Sequence, residues 1–255
     1  MNIISSFVNL LYPKRCIICF GILKGAEAYC GVCDRCKKRL PYVKPPYCKK
    51  CGKHIESADS EYCFDCSRIK KSYDKGYAVF SYRGVMEKGM MAFKYGNKRE
   101  FADFYGKEIV KRFGRILKET GADCLIPVPI HSSRRRKRGY NQAELIAKEV
   151  SAYLDIPMRD DILVRVSRTV AQKKLDDIER RKNIKKAFKR VDNSVKLDTV
   201  ILIDDIYTSG ATLEACTSVL KATGVKRVYC VSVCIGEDMG VLSEGSDSQI
   251  YPKNT

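Results

Sequence analysis

Four apolar residues, Val200-Ile201-Leu202-Ile203, run without a break into two adjacent carboxylates, Asp204 and Asp205. After Ile206 and Tyr207 come five small residues, Thr208-Ser209-Gly210-Ala211-Thr212, and then a stretch of helical character. An apolar run of this kind suits a parallel strand buried on both faces, which means an α/β sheet with helices packed on it. Ligands of such sheets sit beyond the carboxyl ends of the strands. The amides of the small-residue turn make an anion-binding concavity, and its hydroxyls add donors at the positive end of the helix that starts near Ala211. Small side chains let the backbone approach a phosphate closely. The two carboxylates are badly placed for that phosphate but well placed to accept hydrogen bonds from sugar hydroxyls. A phosphate grip beside a diol grip describes a site for a ribose 5-phosphate. Thr208 and Ser209 are also natural helix caps, but a cap requires neither paired acids nor five small residues. A Walker loop is excluded, because the Gly-Lys-Ser/Thr ending is absent.

The cysteines set a second constraint. Of thirteen, nine lie at or before Cys66, and they include four Cys-x-x-Cys pairs: Cys16/Cys19, Cys33/Cys36, Cys48/Cys51 and Cys63/Cys66. Each pair forms a turn that offers two thiolates to one metal, and two turns complete a tetrahedral site with no position left for substrate. The spacing therefore predicts two structural Zn²⁺ sites in a double zinc ribbon, with metal supplying folding energy to a module too small for a core of its own. Pairing within each half is the simplest arrangement; interleaved pairing and a role for Cys30 stay open. The other four cysteines, Cys124, Cys216, Cys230 and Cys234, sit in apolar surroundings and read as small core hydrophobes.

Lys and Arg number 48 against 30 Asp and Glu, a formal charge of +18. Metallation of eight thiolates by two zinc ions contributes about −4 and leaves the chain strongly basic. Such a surplus favours nucleic acid, anionic lipid or phosphorylated metabolites as partners. No stretch is long and apolar enough to span a bilayer. Met1 to Tyr12 has apolar residues at helical spacing, and its basic residues follow rather than precede them, unlike a secretory signal. It is expected to dock as a short helix on the zinc module, with a weak membrane-surface helix as the alternative.

Along the chain, strands are expected at Gly76 to Tyr82, Ala122 to Val128, Val200 to Ile203 and Val228 to Val233. Helices are expected at Val85 to Phe93, Phe101 to Leu117, Tyr140 to Leu154 and Leu213 to Ala222. Alternating strands and helices make a parallel α/β core. Residues 165–186 are highly charged and poor in core residues, as in a mobile arm; 237–255 read as a disordered tail. The organisation predicted is an N-terminal helix with a double zinc ribbon over 1–75, the α/β domain over 76–236, and the tail.

The motif at Asp204 resembles the phosphoribosyl-pyrophosphate (PRPP) signature of type I phosphoribosyltransferases. The resemblance implies a type I phosphoribosyltransferase-like parallel sheet flanked by helices, with Mg²⁺-PRPP as ligand. Asp204 and Asp205 would take the ribose hydroxyls, and Thr208, Ser209, Gly210, Ala211 and Thr212 the 5′-phosphate. It also implies a pyrophosphate-facing loop around His131 and Arg134, where the basic run Arg134 to Arg138 would neutralise the leaving group. That run reads equally as a solvated or nucleic-acid-binding surface. Residues 165–190 hold eleven basic and three acidic residues; the resemblance makes them an arm that closes over PRPP, and a nucleic-acid-binding arm is the competing reading.

Taken in order, Pro13-x-x-Cys16-x-x-Cys19, Cys33-x-x-Cys36-x-x-x-Leu40-Pro41, Cys48-x-x-Cys51-Gly52, Arg138-Gly139-Tyr140-Asn141-Gln142, Arg168-Thr169-x-x-Gln172, Arg180-x-x-Asn183 and the Asp204 motif closely resemble the ComF competence-protein family. Its members join a zinc ribbon to a phosphoribosyltransferase-like domain. Ser209 stands where many relatives carry threonine and keeps the hydroxyl. The resemblance implies a cytoplasmic protein of natural transformation, at or near the inner face of the cell membrane. There it would handle incoming single-stranded DNA beside a competence helicase and other DNA-uptake proteins. Tyr42, Tyr47, Tyr62 and Tyr140 are candidates to stack on bases. An active phosphoribosyltransferase with an unnamed acceptor and a non-catalytic PRPP sensor are the alternatives.

Overall fold

The computed structural model describes residues 13–167, 186–191 and 195–236. The expected N-terminal helix, most of the charged arm and the C-terminal tail lie outside the described residues. In chain order the elements are α1 (Glu27–Cys30), α2 (Asp34–Lys37), α3 (Phe64–Arg68), β1 (Lys75–Ser81), α4 (Val85–Tyr95), α5 (Phe101–Glu119), β2 (Cys124–Pro127), α6 (Ser132–Arg138), α7 (Gln142–Leu154), β3 (Leu163–Arg165), β4 (Phe188–Arg190), β5 (Thr199–Tyr207), α8 (Ala211–Ala222) and β6 (Arg227–Ile235).

Four strands form one parallel sheet in the order β1-β6-β5-β2, so the expected parallel α/β core is borne out. The apolar run of β5 divides by the period of two that strand geometry imposes. Ile201 and Ile203 pack with Met90, Ile109, Ile146 and Val150 of α4, α5 and α7. Val200 and Leu202 pack with Leu213, Cys216 and Leu220 of α8 on the opposite face. Each such fully buried side chain contributes about 1.5–3 kcal/mol. Cys124, Cys216, Cys230 and Cys234 are all buried free thiols, as core packing requires.

Both outer edges of the sheet are covered. Residues 41–43 run antiparallel to β1, with Val43 N donating to Val79 O (3.0 Å) and Ser81 N to Pro41 O (2.7 Å). Beside β2, Leu125 N donates to Pro157 O and Arg159 N to Leu125 O, both 2.9 Å. Unpaired edges invite pairing with other chains, and here they are spent on the chain itself.

The cysteine-rich segment does not keep a separate interior. Cys16, Ile17, Val32 and Cys36 share a core with Phe80, Phe104 and Tyr105. Cys48, Cys51 and Cys63 share the other with Tyr73, Tyr207 and Leu213. Gly52 explains one close approach: it sits at φ +77°, and a Cβ there would lie 2.8 Å from Gly76 O.

Two expectations are corrected. β5 does not stop at Ile203; it runs through both acids to Tyr207, because β6 is equally long and pairs Asp204 with Ser232 and Ile206 with Cys234. The basic run after His131 is not a loop but the helix α6, with the His131 ring accepting from Ser133 N as its cap and Gly139 (φ +79°) ending it. A short antiparallel ribbon, β3–β4, stands at the base of the charged segment; three-residue strands leave too little periodicity to read.

Candidate functional site

A cleft of about 130 Å³ opens at the carboxyl ends of β5 and β2. Its walls carry Asp204 and Asp205 from the end of β5, Thr212 from the first turn of α8, and Val128, Pro129 and Ile130 from the segment after β2. Lys94 lies in the last turn of α4, Arg134 and Arg138 lie on α6, and Arg165 ends β3. Helix periodicity sorts the basic run: residues four apart share a face, so Arg134 and Arg138 turn to the cleft. Arg135 pairs with Glu144 (2.9 Å), while Arg136 and Lys137 are exposed.

The two acids differ because neighbours in a strand point to opposite faces. Asp205 forms an ion pair with Lys94 at 3.1 Å, with side chains only 14% and 16% exposed. Asp204 accepts the Asp205 N–H (2.8 Å). Burial and then the charge of Asp205 push its pKa up to about 7, against the opposing pull of that N–H, Lys94 and Arg165. Arg165 is lowered from its usual value by burial and by the nearby Arg134 charge. Four cations around two carboxylates leave a positive excess, and like charges crowded in a cleft are the arrangement an anionic ligand relieves.

The small-residue turn lies between β5 and α8. Gly210 is in the left-handed region (φ +71°), and a Cβ there would collide with the Tyr207 hydroxyl beneath it. Thr208 and Ser209 are exposed, and Gly210 occupies the cap position of α8. Hence Asp204, Asp205, Arg134 and Thr212 line one cleft, with Thr208, Ser209, Gly210 and Ala211 completing the turn at its end. His131 does not line the cleft; its Nδ1 lies 2.8 Å from Ser133 Oγ.

Lys94 escaped the sequence reading, since nothing distinguishes one lysine among 48 basic residues. The nearby Arg138-Gly139-Tyr140-Asn141-Gln142 motif was legible, and the structure gives it a job. Tyr140 Oη and Gln142 Nε2 both donate to Phe93 O, the latter at 3.3 Å. Arg138 donates to Gln142 Oε1 (3.0 Å), and Asn141 Nδ2 to Val128 O (3.0 Å). The motif ties the end of α4, and with it Lys94, to the floor of the cleft.

Cys16, Cys19, Cys33 and Cys36 form one cluster and Cys48, Cys51, Cys63 and Cys66 the other, with each set of sulfurs within 4.8 Å. Pairing is thus within halves, and Cys30 belongs to neither. A tetrahedron with Zn–S bonds of about 2.3 Å has sulfur–sulfur edges of about 3.8 Å. Cys19···Cys33 is 3.8 Å and Cys51···Cys63 is 3.7 Å, so the donor sets fit zinc. The Gly21 N–H chiefly lowers Cys19 to about 7, while burial pushes Cys36 up to about 12; metal binding takes all four as thiolates.

Sheet, cleft and clusters together fit a phosphoribosyltransferase-like domain joined to a double zinc ribbon. Models of both families match: the double zinc ribbon domain over residues 7–67 and the phosphoribosyl transferase domain over 141–252. The resemblance to the ComF family is borne out by homologues of that name. Competence protein F of Haemophilus influenzae is 38% identical over 108 residues, 42% of this chain and 47% of the relative. Competence protein ComFC of Bacillus subtilis is 27% identical over 147 residues, 58% of each chain. DNA utilization protein YhgH of Escherichia coli O157:H7 is 26% identical over 144 residues, 55% of this chain and 63% of the relative. The matches thus span 47% to 63% of these relatives' own lengths. Among solved structures, a purine phosphoribosyltransferase from Pyrococcus horikoshii Ot3 aligns at TM-score 0.31 and 18% identity, over 51% of this chain and 72% of that one.

Proposed function

We propose that this chain is a ComF-type protein of natural transformation whose cleft binds Mg²⁺-PRPP. The observation that carries the reading is the meeting of Asp204, Asp205, Thr212 and four cations in one cleft at the carboxyl edge of the sheet, with the rest of the 208–212 turn at its end. Asp204 and Asp205 accept from the ribose 2′- and 3′-hydroxyls. The turn takes the 5′-phosphate at the positive end of α8. Lys94, Arg134, Arg138 and Arg165 face the pyrophosphate, whose charge they offset. Mg²⁺ carried on the pyrophosphate supplies further neutralisation when bound.

Two uses of this pocket follow. In an active phosphoribosyltransferase the residues work by position and electrostatics; His131 has no part as a base, because its ring caps α6. In a sensor the same contacts report PRPP without turnover. The competence and DNA-utilization names of the relatives, with the +18 charge and the outward Arg136 and Lys137, support contact with incoming single-stranded DNA. The proposed setting is the cytoplasmic face of the cell membrane, beside a helicase and other uptake proteins. Among the described residues no helix is long and apolar enough to cross a membrane.

Calorimetric titration with Mg²⁺-PRPP tests the pocket. Saturable binding by the intact protein, abolished in Asp204→Ala/Asp205→Ala, is expected; no binding to the intact protein sinks enzyme and sensor readings together. Pyrophosphate release across a panel of acceptor bases then separates the two.

A further inference from the structure

The segment that leaves the second cysteine cluster runs directly under the phosphate turn. Lys71 is five residues beyond Cys66. It is 6% exposed, and its Nζ donates to Ser209 O at 2.8 Å. The Ser72 N–H donates to Glu214 in the first turn of α8 at 2.7 Å, and its hydroxyl donates to the same carboxylate. Tyr73 is fully buried, with its hydroxyl 3.0 Å from that of Tyr207, the residue on which Gly210 rests. Asp74 accepts from Lys221 in the last turn of α8 at 3.0 Å. Four consecutive residues of the ribbon's exit thus grip the turn and both ends of its helix.

A trans peptide holds its C=O and N–H antiparallel. With the Ser209 carbonyl drawn to Lys71, the N–H of the same peptide, that of Gly210, points the opposite way, away from Lys71. An N–H so directed is the group a phosphate needs. The ammonium also adds a positive charge just behind the turn.

We propose that Lys71 and Ser72 are positioning residues for the phosphate turn, and that the second zinc ribbon serves the cleft by fixing the Ser209–Gly210 peptide for a phosphomonoester. This rests on the proposed PRPP pocket and adds to it a division of labour: the ribbon governs the 5′-phosphate end and leaves the pyrophosphate end, built from α4, α6 and β3, untouched. Tyr73 lies in one core with Cys48, Cys51 and Cys63, so metal at the second cluster sets where this segment runs.

The test uses the full chain with two zinc ions and two probes, ribose 5-phosphate and Mg²⁺-pyrophosphate, titrated separately. Lys71→Met is expected to weaken ribose 5-phosphate about tenfold or more, as loss of a charge-assisted hydrogen bond does, with pyrophosphate affinity, zinc content and melting midpoint unchanged. Lys71→Arg restores the affinity. Should Lys71→Met lose zinc or melt early, Ser72→Ala, which deletes one hydroxyl, is measured in its place with the same selective loss expected. Equal losses for both probes, or no loss in either variant, overturn the proposal while leaving the pocket standing. An intact protein that binds neither ribose 5-phosphate nor PRPP overturns the pocket reading and this proposal together.

Discussion

Asp204→Asn should make the ligand-free protein more stable at neutral pH and nearly useless for ribose binding. The wild-type carboxyl rises from an ordinary 3.8 to about 7 in the folded chain, through burial and the adjacent Asp205 charge. A group whose folded pKa is raised contributes stability that is present below its unfolded value and lost as pH climbs through its folded value. The penalty therefore opens near pH 4 and is complete just above pH 7. A rise of this size corresponds to about 4 kcal/mol; water at the open mouth of the cleft reduces it to about 2 kcal/mol. Asparagine never ionises, keeps the side-chain shape and retains an oxygen for the Asp205 N–H. For a chain of this size, about 2 kcal/mol moves the melting midpoint by about 4–8 °C. The assay is thermal melting of both proteins from pH 5 to pH 8.5 with zinc saturating, so that contributions from the metal sites and from other titrating groups cancel in the difference. The Asn variant should gain steadily on the wild type up to pH 7 and hold a constant lead beyond it. A difference that is flat with pH, or that grows toward acid, refutes the account of Asp204.

Gly210→Ala places a side chain at φ +71° against the Tyr207 hydroxyl; it should cost about 1–3 kcal/mol and abolish ribose 5-phosphate binding, whereas an unchanged melting midpoint would show that the turn relaxes freely. Stripping zinc with a chelator should release two ions per chain and erase near-ultraviolet circular dichroism from the whole molecule, because both clusters share their cores with the sheet; a surviving sheet transition argues against that sharing. Arg136→Ala/Lys137→Ala should lower the slope of log affinity for single-stranded DNA against log salt by about 1.4 without touching PRPP affinity, and a wild-type slope would place the DNA elsewhere.

What could be read from the sequence depended on whether the signal was local. Val200 to Ile203 announced a buried parallel strand because both faces of that strand are covered by its own chain. The Cys-x-x-Cys pairs announced metal because the ligand set is complete within each half. The end of β5 is set by the length of β6, which the Asp204 region cannot reveal. The basic run looked like a loop because seven charged and hydroxyl residues have no apolar face; only tertiary placement shows that Arg134 and Arg138 share a side. Lys94 and Lys71 are invisible for the same reason. Each reaches the site across more than a hundred residues, from a helix end and a ribbon exit that carry no motif.

The pairing of β1 with β6 sets an order of assembly during synthesis. The first strand made has no neighbour in the sheet except the last, Arg227–Ile235, so the ribosome must finish nearly the whole described chain before the sheet can close. Contacts so distant in sequence form slowly and leave apolar surface waiting. The cysteine clusters need no such delay, since every ligand of both has been translated by Cys66. Metal capture is then available to the nascent chain early, and the 41–43 segment between the two clusters can cover the outer edge of β1 while the edge that β6 will take still waits.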